Sequence, residues 1–304
     1  MKDIRCIVCG NTDKNQFRIR FEKEDCTVVE CMRCTFHFIP PWYRKQIDYR
    51  EYRTTEAASQ VKSGNQWLKT EMNRRRLRMI RKNHKGRDLF DVGAGFGHFM
   101  LAGKNMGYRV SGIEIARANA EFIRSELGLP VSEGDFLKLD QSGRYDILTF
   151  WDTLEHMDHA DQSVEKASCL LRPGGIIVIQ VPQLDSVLAR LFKEKWWAMG
   201  LDHVNYFTRP TIRMLLEKYG FQVRVIKSSI ELKIIYNYVI IPKLKKRRKA
   251  EKSWTFAERQ QAFNRLTQKP RWMLWIGMRI YNALYRTLSF LRIGDEMVVV
   301  AVKE

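Results

Sequence analysis

The segment Asp91-Val-Gly93-Ala-Gly95-Phe-Gly97 constrains the fold of this chain more than any other. It ends Asp88-Leu-Phe-Asp-Val92, a short apolar run that predicts a buried strand. Three glycines in alternation let the backbone turn tightly and approach a ligand closely. His98 to Met106 then reads as a helix and Tyr108 to Ile113 as a second strand. The alternation continues through a helix at Ala116 to Leu127, a short strand at Pro130 to Ser132 and a strand at Tyr145 to Trp151. A helix at Ala160 to Leu171 and a strand at Gly175 to Val181 follow. Strands alternating with helices of about ten residues predict an α/β fold with a parallel sheet covered on both faces. Ligands bind such sheets at the carboxyl ends of the strands, where the glycine run sits.

Upstream, Leu68, Met72, Leu77 and Ile80 recur among arginines from Gln66 to Lys82, which predicts a surface helix packed by one face. Downstream come a helix at Arg209 to Tyr219, a strand at Phe221 to Lys227 and a final strand at Glu296 to Val302. The insertion between the last two strands is too long for a bare loop inside a domain. Four regions result: a cysteine-rich ribbon over 1–40, a linker over 41–65, an α/β domain over 66–229 and 294–304, and a basic, aromatic helical insertion over 230–293.

Glu114 ends the second strand and is placed to accept hydrogen bonds from both ribose hydroxyls of a nucleoside. Asp135 follows the third strand, within reach of an adenine amino group, with Phe136 beside the ring. A dinucleotide site needs G-x-G-x-x-G, whereas the spacing here is G-x-G-x-G directly after Asp91. A purely structural turn with solvated carboxylates would not bring these features into register.

The glycine run and its acidic partners resemble the signature of class I, Rossmann-like S-adenosylmethionine-dependent methyltransferases. Trp151-Asp-Thr-Leu-Glu155-His156 and Leu171-Arg-Pro-Gly-Gly175 are similar to segments of the same class. The likeness covers 66–229 and the last strand. It implies a seven-stranded sheet whose last strand is antiparallel, and S-adenosylmethionine as cofactor. Asp91, Gly93, Gly95 and Gly97 would line the methionine and ribose end, Glu114 the ribose, and Asp135 and Phe136 the adenine, with Trp151 also at the cofactor.

Five of the six cysteines lie within the first 34 residues. Cys6-x-x-Cys9 and Cys31-x-x-Cys34 are two knuckles, and four thiolates at this spacing predict a closed, structural zinc site. Cys26 fits no knuckle, and Cys169 reads as a small core residue. Zinc ribbons ahead of a methyltransferase domain also occur in a group resembling sugar and polysaccharide methyltransferases.

Methyl transfer to a hydroxyl or carbon acid needs a base, and His203, after the fifth strand, is the candidate. A His203 that merely caps a helix or bonds a carbonyl is equally compatible with the sequence. Glu155 and His156 read as holders of the cofactor loop, and of Trp196 and Trp197 at least one must be packing.

A formal charge of +19, from 53 Lys and Arg against 34 Asp and Glu, favours anionic partners. The run Lys243-Leu-Lys-Lys-Arg-Arg-Lys249 can bind phosphate groups of lipid or nucleic acid. From Pro270 to Ile293 a wide Trp-rich face opposes a narrow stripe carrying Arg279 and Arg286, which suits an anionic membrane interface; core burial or a dimer contact would also cover such a face. No apolar run is long enough to cross a bilayer, and the start carries no secretory signal pattern. The expectation is a cytoplasmic enzyme, peripheral on the inner face of the membrane, that methylates a small-molecule or lipid-linked acceptor such as a surface-polysaccharide sugar. The rivals are an RNA methyltransferase and a non-catalytic membrane scaffold. Against RNA, the ribbon lacks aromatics interleaved with its basic residues.

Overall fold

A computed structural model of the chain describes residues 4–23, 25–45, 48, 50, 66–140, 143–200, 202–229 and 294–304, with isolated helical positions at Trp272, Met273, Ile276 and Arg279. The basic run 243–249 and all but those four positions of the insertion lie outside the described residues, as do linker positions 51–65. Trp272, Met273 and Ile276 are exposed. No helix among the described residues is long and apolar enough to cross a membrane.

The N-terminal region supplies β1 (Phe17–Lys23), β2 (Cys26–Cys31) and β3 (His37–Phe38). The α/β unit begins with α1 (Gln66–Asn83), β4 (Asp88–Val92), α2 (His98–Asn105), β5 (Arg109–Glu114), α3 (Arg117–Ser125) and β6 (Val131–Glu133). It continues with β7 (Tyr145–Trp151), α4 (Ala160–Leu170), β8 (Leu171–Pro182), α5 (Val187–Phe192), β9 (Asn205–Tyr206), α6 (Arg209–Lys218), β10 (Phe221–Ser229) and β11 (Glu296–Lys303).

Seven strands form one sheet in the order β10-β11-β8-β7-β4-β5-β6. The five strands from β6 to β8 are parallel, and β11 runs antiparallel to both its neighbours. This is the Rossmann-like methyltransferase fold with its reversed last strand. Burial on both faces explains why β8 reads as a continuous apolar run rather than an alternation. Ile177, Ile179 and Val181 face a core with α4 and α6, while Ile176 and Val178 face one with α1, α2 and α3.

Two sequence expectations change. Among the α1 side chains described, Asn73, Leu77 and Ile80 are buried and Met72 is only half-buried, while Leu68 lies outside them. Cys169 is exposed rather than core. Ala160, Val164 and Ala167 mark the buried face of α4, and Cys169 lies about 200° around the helix from Ala167.

The ribbon is not a free-standing unit. Its antiparallel β1–β2–β3 sheet is completed by β9, with His37 opposite Tyr206 and Phe38 opposite Asn205. Phe17, Val29, Phe36 and Phe38 share one apolar core with Phe207, Ile212 and Leu215. The rings of Phe36 and Phe207 lie 5.3 Å apart, and Ile39 N donates to Val204 O at 2.9 Å. Arg5 reaches the buried Asp161 of α4 at 3.1 Å. A shared core makes unfolding cooperative across the ribbon and the sheet. Phe36→Ala should destabilise the whole molecule by about 3 to 5 kcal/mol, seen as a shift of a single calorimetric transition. Two separate transitions, only one of them moved, would contradict a shared core.

Candidate active site

The glycine loop leaves β4 at the carboxyl edge of the sheet. Gly93 N and Ala94 N both donate to Ile113 O, at 2.9 and 3.1 Å, so the parallel register of β4 and β5 sets the turn. Gly93, Gly95 and Gly97 all have positive φ, at 74°, 55° and 70°. They do different jobs. A Cβ at Gly93 would stand 2.5 Å from Thr153 Oγ1, so its lack of a side chain lets the turn after β7 close against the loop. A Cβ at Gly95 would meet nothing within 4 Å, so this residue borders open space.

Glu114, at the end of β5, is 6% exposed and clamps the loop: Oε2 accepts from Gly95 N at 2.7 Å and Oε1 from Ala116 N at 3.0 Å. A carboxylate offers about four lone-pair sites, so these two bonds leave capacity for a ligand's hydroxyls. Burial pushes its carboxyl above the usual range, and the backbone amides of Ala116 and Gly95 pull it back. Asp91 lies beneath the loop at 2% exposure and accepts a hydrogen bond from Thr149 Oγ1 at 2.6 Å. Burial raises its carboxyl to about 7, against the pull of Thr149 and Arg76.

Asp135 is half-buried after β6 and caps the turn 136–138, accepting from Leu137 N at 2.9 Å. Phe136 differs from expectation. It is 2% exposed, with its ring 6.3 Å from Phe90 and 5.8 Å from Phe150, so it fills the core and offers no face to a ligand. Trp151 is 8% exposed, and its buried Nε1 has no hydrogen-bond partner.

Above Trp151 lies a residue the sequence did not single out. Arg76 of α1 stacks its guanidinium 4.3 Å from the indole centroid and approaches Asp152 at 3.7 Å. Asp152 holds a left-handed φ of 52°, which costs a non-glycine residue about 1 to 2 kcal/mol. Gln180 Nε2 donates both to Asp152 Oδ1 at 3.0 Å and to the buried Glu296 Oε2 at 2.9 Å. This network of four residues joins α1, β7, β8 and β11 at one end of the sheet. Such strain, over-determined by its neighbours, is typical of functional sites.

Beyond Thr153, Glu155 and His156 are hydrogen-bonded to the segment 202–204. Val204 N donates to Glu155 O at 2.8 Å, and His156 Nδ1 is hydrogen-bonded to Asp202 O. His203 is 8% exposed, and its Nδ1 donates to Ala198 O at 2.8 Å, with its ring 4.7 Å from that of His156. Trp196 is packing, 2% exposed, whereas Trp197 lies 5.7 Å from His203 and donates to Asp295 at 2.5 Å.

The four knuckle cysteines converge. One sulfur from each of Cys6, Cys9, Cys31 and Cys34 lies within 4.8 Å of the others, with Cys6–Cys34 at 3.5 Å and Cys9–Cys31 at 3.6 Å. Sulfurs around a tetrahedral zinc at 2.3 Å stand about 3.8 Å apart, so the set can hold such an ion. The knuckles turn through left-handed residues, Gly10 at φ 71° and Thr35 at φ 61°. The hydrogen bond from Cys6 holds the Cys34 thiol down to about 5. Cys26 is buried in a different apolar cluster and takes no part.

The sequence profile described as "Methyltransferase domain" matches residues 65–225, just over half of the chain. The chain belongs to this methyltransferase-domain family. It is 34% identical over 101 residues to a ubiquinone biosynthesis O-methyltransferase of Bordetella avium, a stretch covering 30% of this chain and 41% of that relative. The chain thus spans under half the length of that relative. An uncharacterized methyltransferase of Bacillus cytotoxicus is 28% identical over 152 residues, covering 45% of this chain and 70% of its own. Among solved structures, a chain from the Haloferax volcanii complex containing the Trm112 methyltransferase activator aligns with a TM-score of 0.51 and 16% identity. That alignment covers 83% of this chain and 98% of the other, and it bears on the fold alone.

Two expectations follow from this geometry. Gly95→Ala should keep the fold, at a cost of about 1 kcal/mol for its left-handed backbone, while Gly93→Ala should cost clearly more by striking Thr153; thermal unfolding of the pair checks the order. A raised folded-state pKa means that the native state binds the extra proton, so the Asp91 contribution to stability is whole below pH 4 and is lost as pH rises to about 7. Relative to Asp91→Asn, the wild type should lose up to about 4 kcal/mol across that window in urea unfolding at graded pH.

Proposed function

We propose that this protein transfers a methyl group from S-adenosylmethionine to an oxygen of a small or lipid-linked acceptor. The observation that carries the reading is the open side of Gly95 beside the Glu114 carboxylate that binds its amide. Backbone without a side chain, beside a carboxylate at the end of a second parallel strand, fits a nucleoside with a charged amino-acid tail. Glu114 would accept from the ribose hydroxyls, Asp135 would meet the adenine, and Arg76 supplies a cation for the cofactor's carboxylate. The bound cofactor supplies an activated methyl group on a sulfonium. The chain's own part is to orient the acceptor and take up its proton, the work for which His203 is the candidate.

The name of the Bordetella relative supports oxygen as the methylated atom. A sugar hydroxyl in surface-polysaccharide synthesis is the acceptor class we favour, in keeping with the ribbon that precedes the domain. We assign a structural zinc to Cys6, Cys9, Cys31 and Cys34: four sulfurs close a tetrahedron and leave no position for substrate. The cationic and aromatic stretch 243–293 would hold the enzyme against an anionic membrane surface from the cytoplasmic side.

Calorimetric titration with S-adenosylmethionine, with NAD in parallel, tests the cofactor. Saturable binding of the first alone is expected, weakened at least about tenfold in Arg76→Ala and in Glu114→Ala. Binding of NAD in its place, or of neither by folded protein, would overturn the reading.

A further inference from the structure

We propose that Glu155, His156 and His203 form a second metal site, for a divalent transition-metal ion, beside the cofactor cleft. One ligand atom from each of the three lies within 4.8 Å of the other two. His156 Nε2 stands 3.9 Å from Glu155 Oε1. Around an ion with nitrogen and oxygen ligands at about 2.1 Å, neighbouring ligand atoms are about 3.4 Å apart, so rotation of side chains through roughly 1 Å would close the set.

The tautomers are set for ligation. Both imidazoles have Nδ1 on a backbone carbonyl, His156 on Asp202 and His203 on Ala198, so each ring carries its lone pair on Nε2. A second-shell carbonyl on one ring nitrogen is how proteins orient histidines that bind metal through the other. The two carriers are also stitched together. Val204 N donates to Glu155 O at 2.8 Å, and Asn205 Nδ2 donates to Met157 O at 2.7 Å, which fixes the turn 154–156 against the strand entry after His203. Neither histidine is then simply a helix cap or a holder of the glycine loop.

Two imidazoles and one carboxylate suit manganese, iron, cobalt or zinc and leave coordination positions open. The site begins two residues after Thr153, whose side chain closes on Gly93, so it neighbours the glycine loop along the chain. An acceptor hydroxyl on the ion would give up its proton to solvent more readily, so with metal bound His203 serves as a ligand and the ion takes over the work of base. Its oxygen then takes the methyl group as the carbon–sulfur bond breaks, with the electron pair passing to sulfur. The existence of the site is independent of the proposed methyl transfer; this role for it rests on that reading.

Manganese separates the two metal sites, because thiolates favour softer ions. The full chain, purified with its cysteine site loaded with zinc, is titrated with Mn²⁺ and the free ion followed by electron paramagnetic resonance. One Mn²⁺ per chain is expected, with affinity at least about tenfold lower in Glu155→Gln, His156→Ala and His203→Ala. S-adenosylmethionine affinity, measured on the same samples, should change less than about threefold, which also certifies the fold. Wild type that binds S-adenosylmethionine but no Mn²⁺, or variants that bind Mn²⁺ as wild type does, would overturn the site while leaving methyl transfer standing. Mn²⁺ binding without S-adenosylmethionine binding would keep the site and remove its proposed role.

Discussion

The structure of the cleft depends on one carboxylate. Glu114 terminates a strand and receives the amide of Gly95 from the neighbouring strand's loop and that of Ala116 from its own. Ile113 O fixes the start of the loop through Gly93 N and Ala94 N, but without Glu114 the amide of Gly95 would lose its acceptor, and left-handed glycines allow a turn without selecting it. The same side chain is the one with capacity for a sugar's hydroxyls. On the proposed reading, loop shape and ligand recognition would be a single electrostatic arrangement, and neither could drift without the other.

Much of the sheet was legible in the sequence. Buried parallel strands are short, apolar and bounded by turns, and their alternation with helices leaves few topologies. The glycine run was legible because position and residue type agreed: it closes the first strand of the sheet's central pair. The paired knuckles of the ribbon were legible for a similar reason, since knuckle spacing is a local constraint.

What sequence did not reveal is built from contacts between distant elements. Arg76, Asp152, Gln180 and Glu296 are unremarkable singly and meet only because α1 crosses the edge of the sheet where β7 and β8 end and β11 begins. Phe136 was misplaced because an aromatic next to a loop aspartate reads as a ligand contact, whereas its backbone turns the ring inward onto Phe90 and Phe150. The docking of the ribbon rests on β3 and β9, strands of two residues each, too short to carry any periodicity. Glu155 and His156 lie in a single 3-10 turn, and their partner His203 arrives only after α4, β8 and α5.

The four-stranded ribbon sheet has a consequence for the order in which the molecule is made. Its knuckles and hairpin use local contacts and are synthesised ahead of the parallel sheet, so they can close before it. Its fourth strand is encoded in the other half of the chain and exists only after most of the parallel sheet has been synthesised. Until then, the edge of β3 and the ring of Phe36 face solvent as an unpaired, apolar border. The ribbon is therefore able to form before the sheet it docks on yet is finished after it, and its completion reports that the chain beyond it has folded.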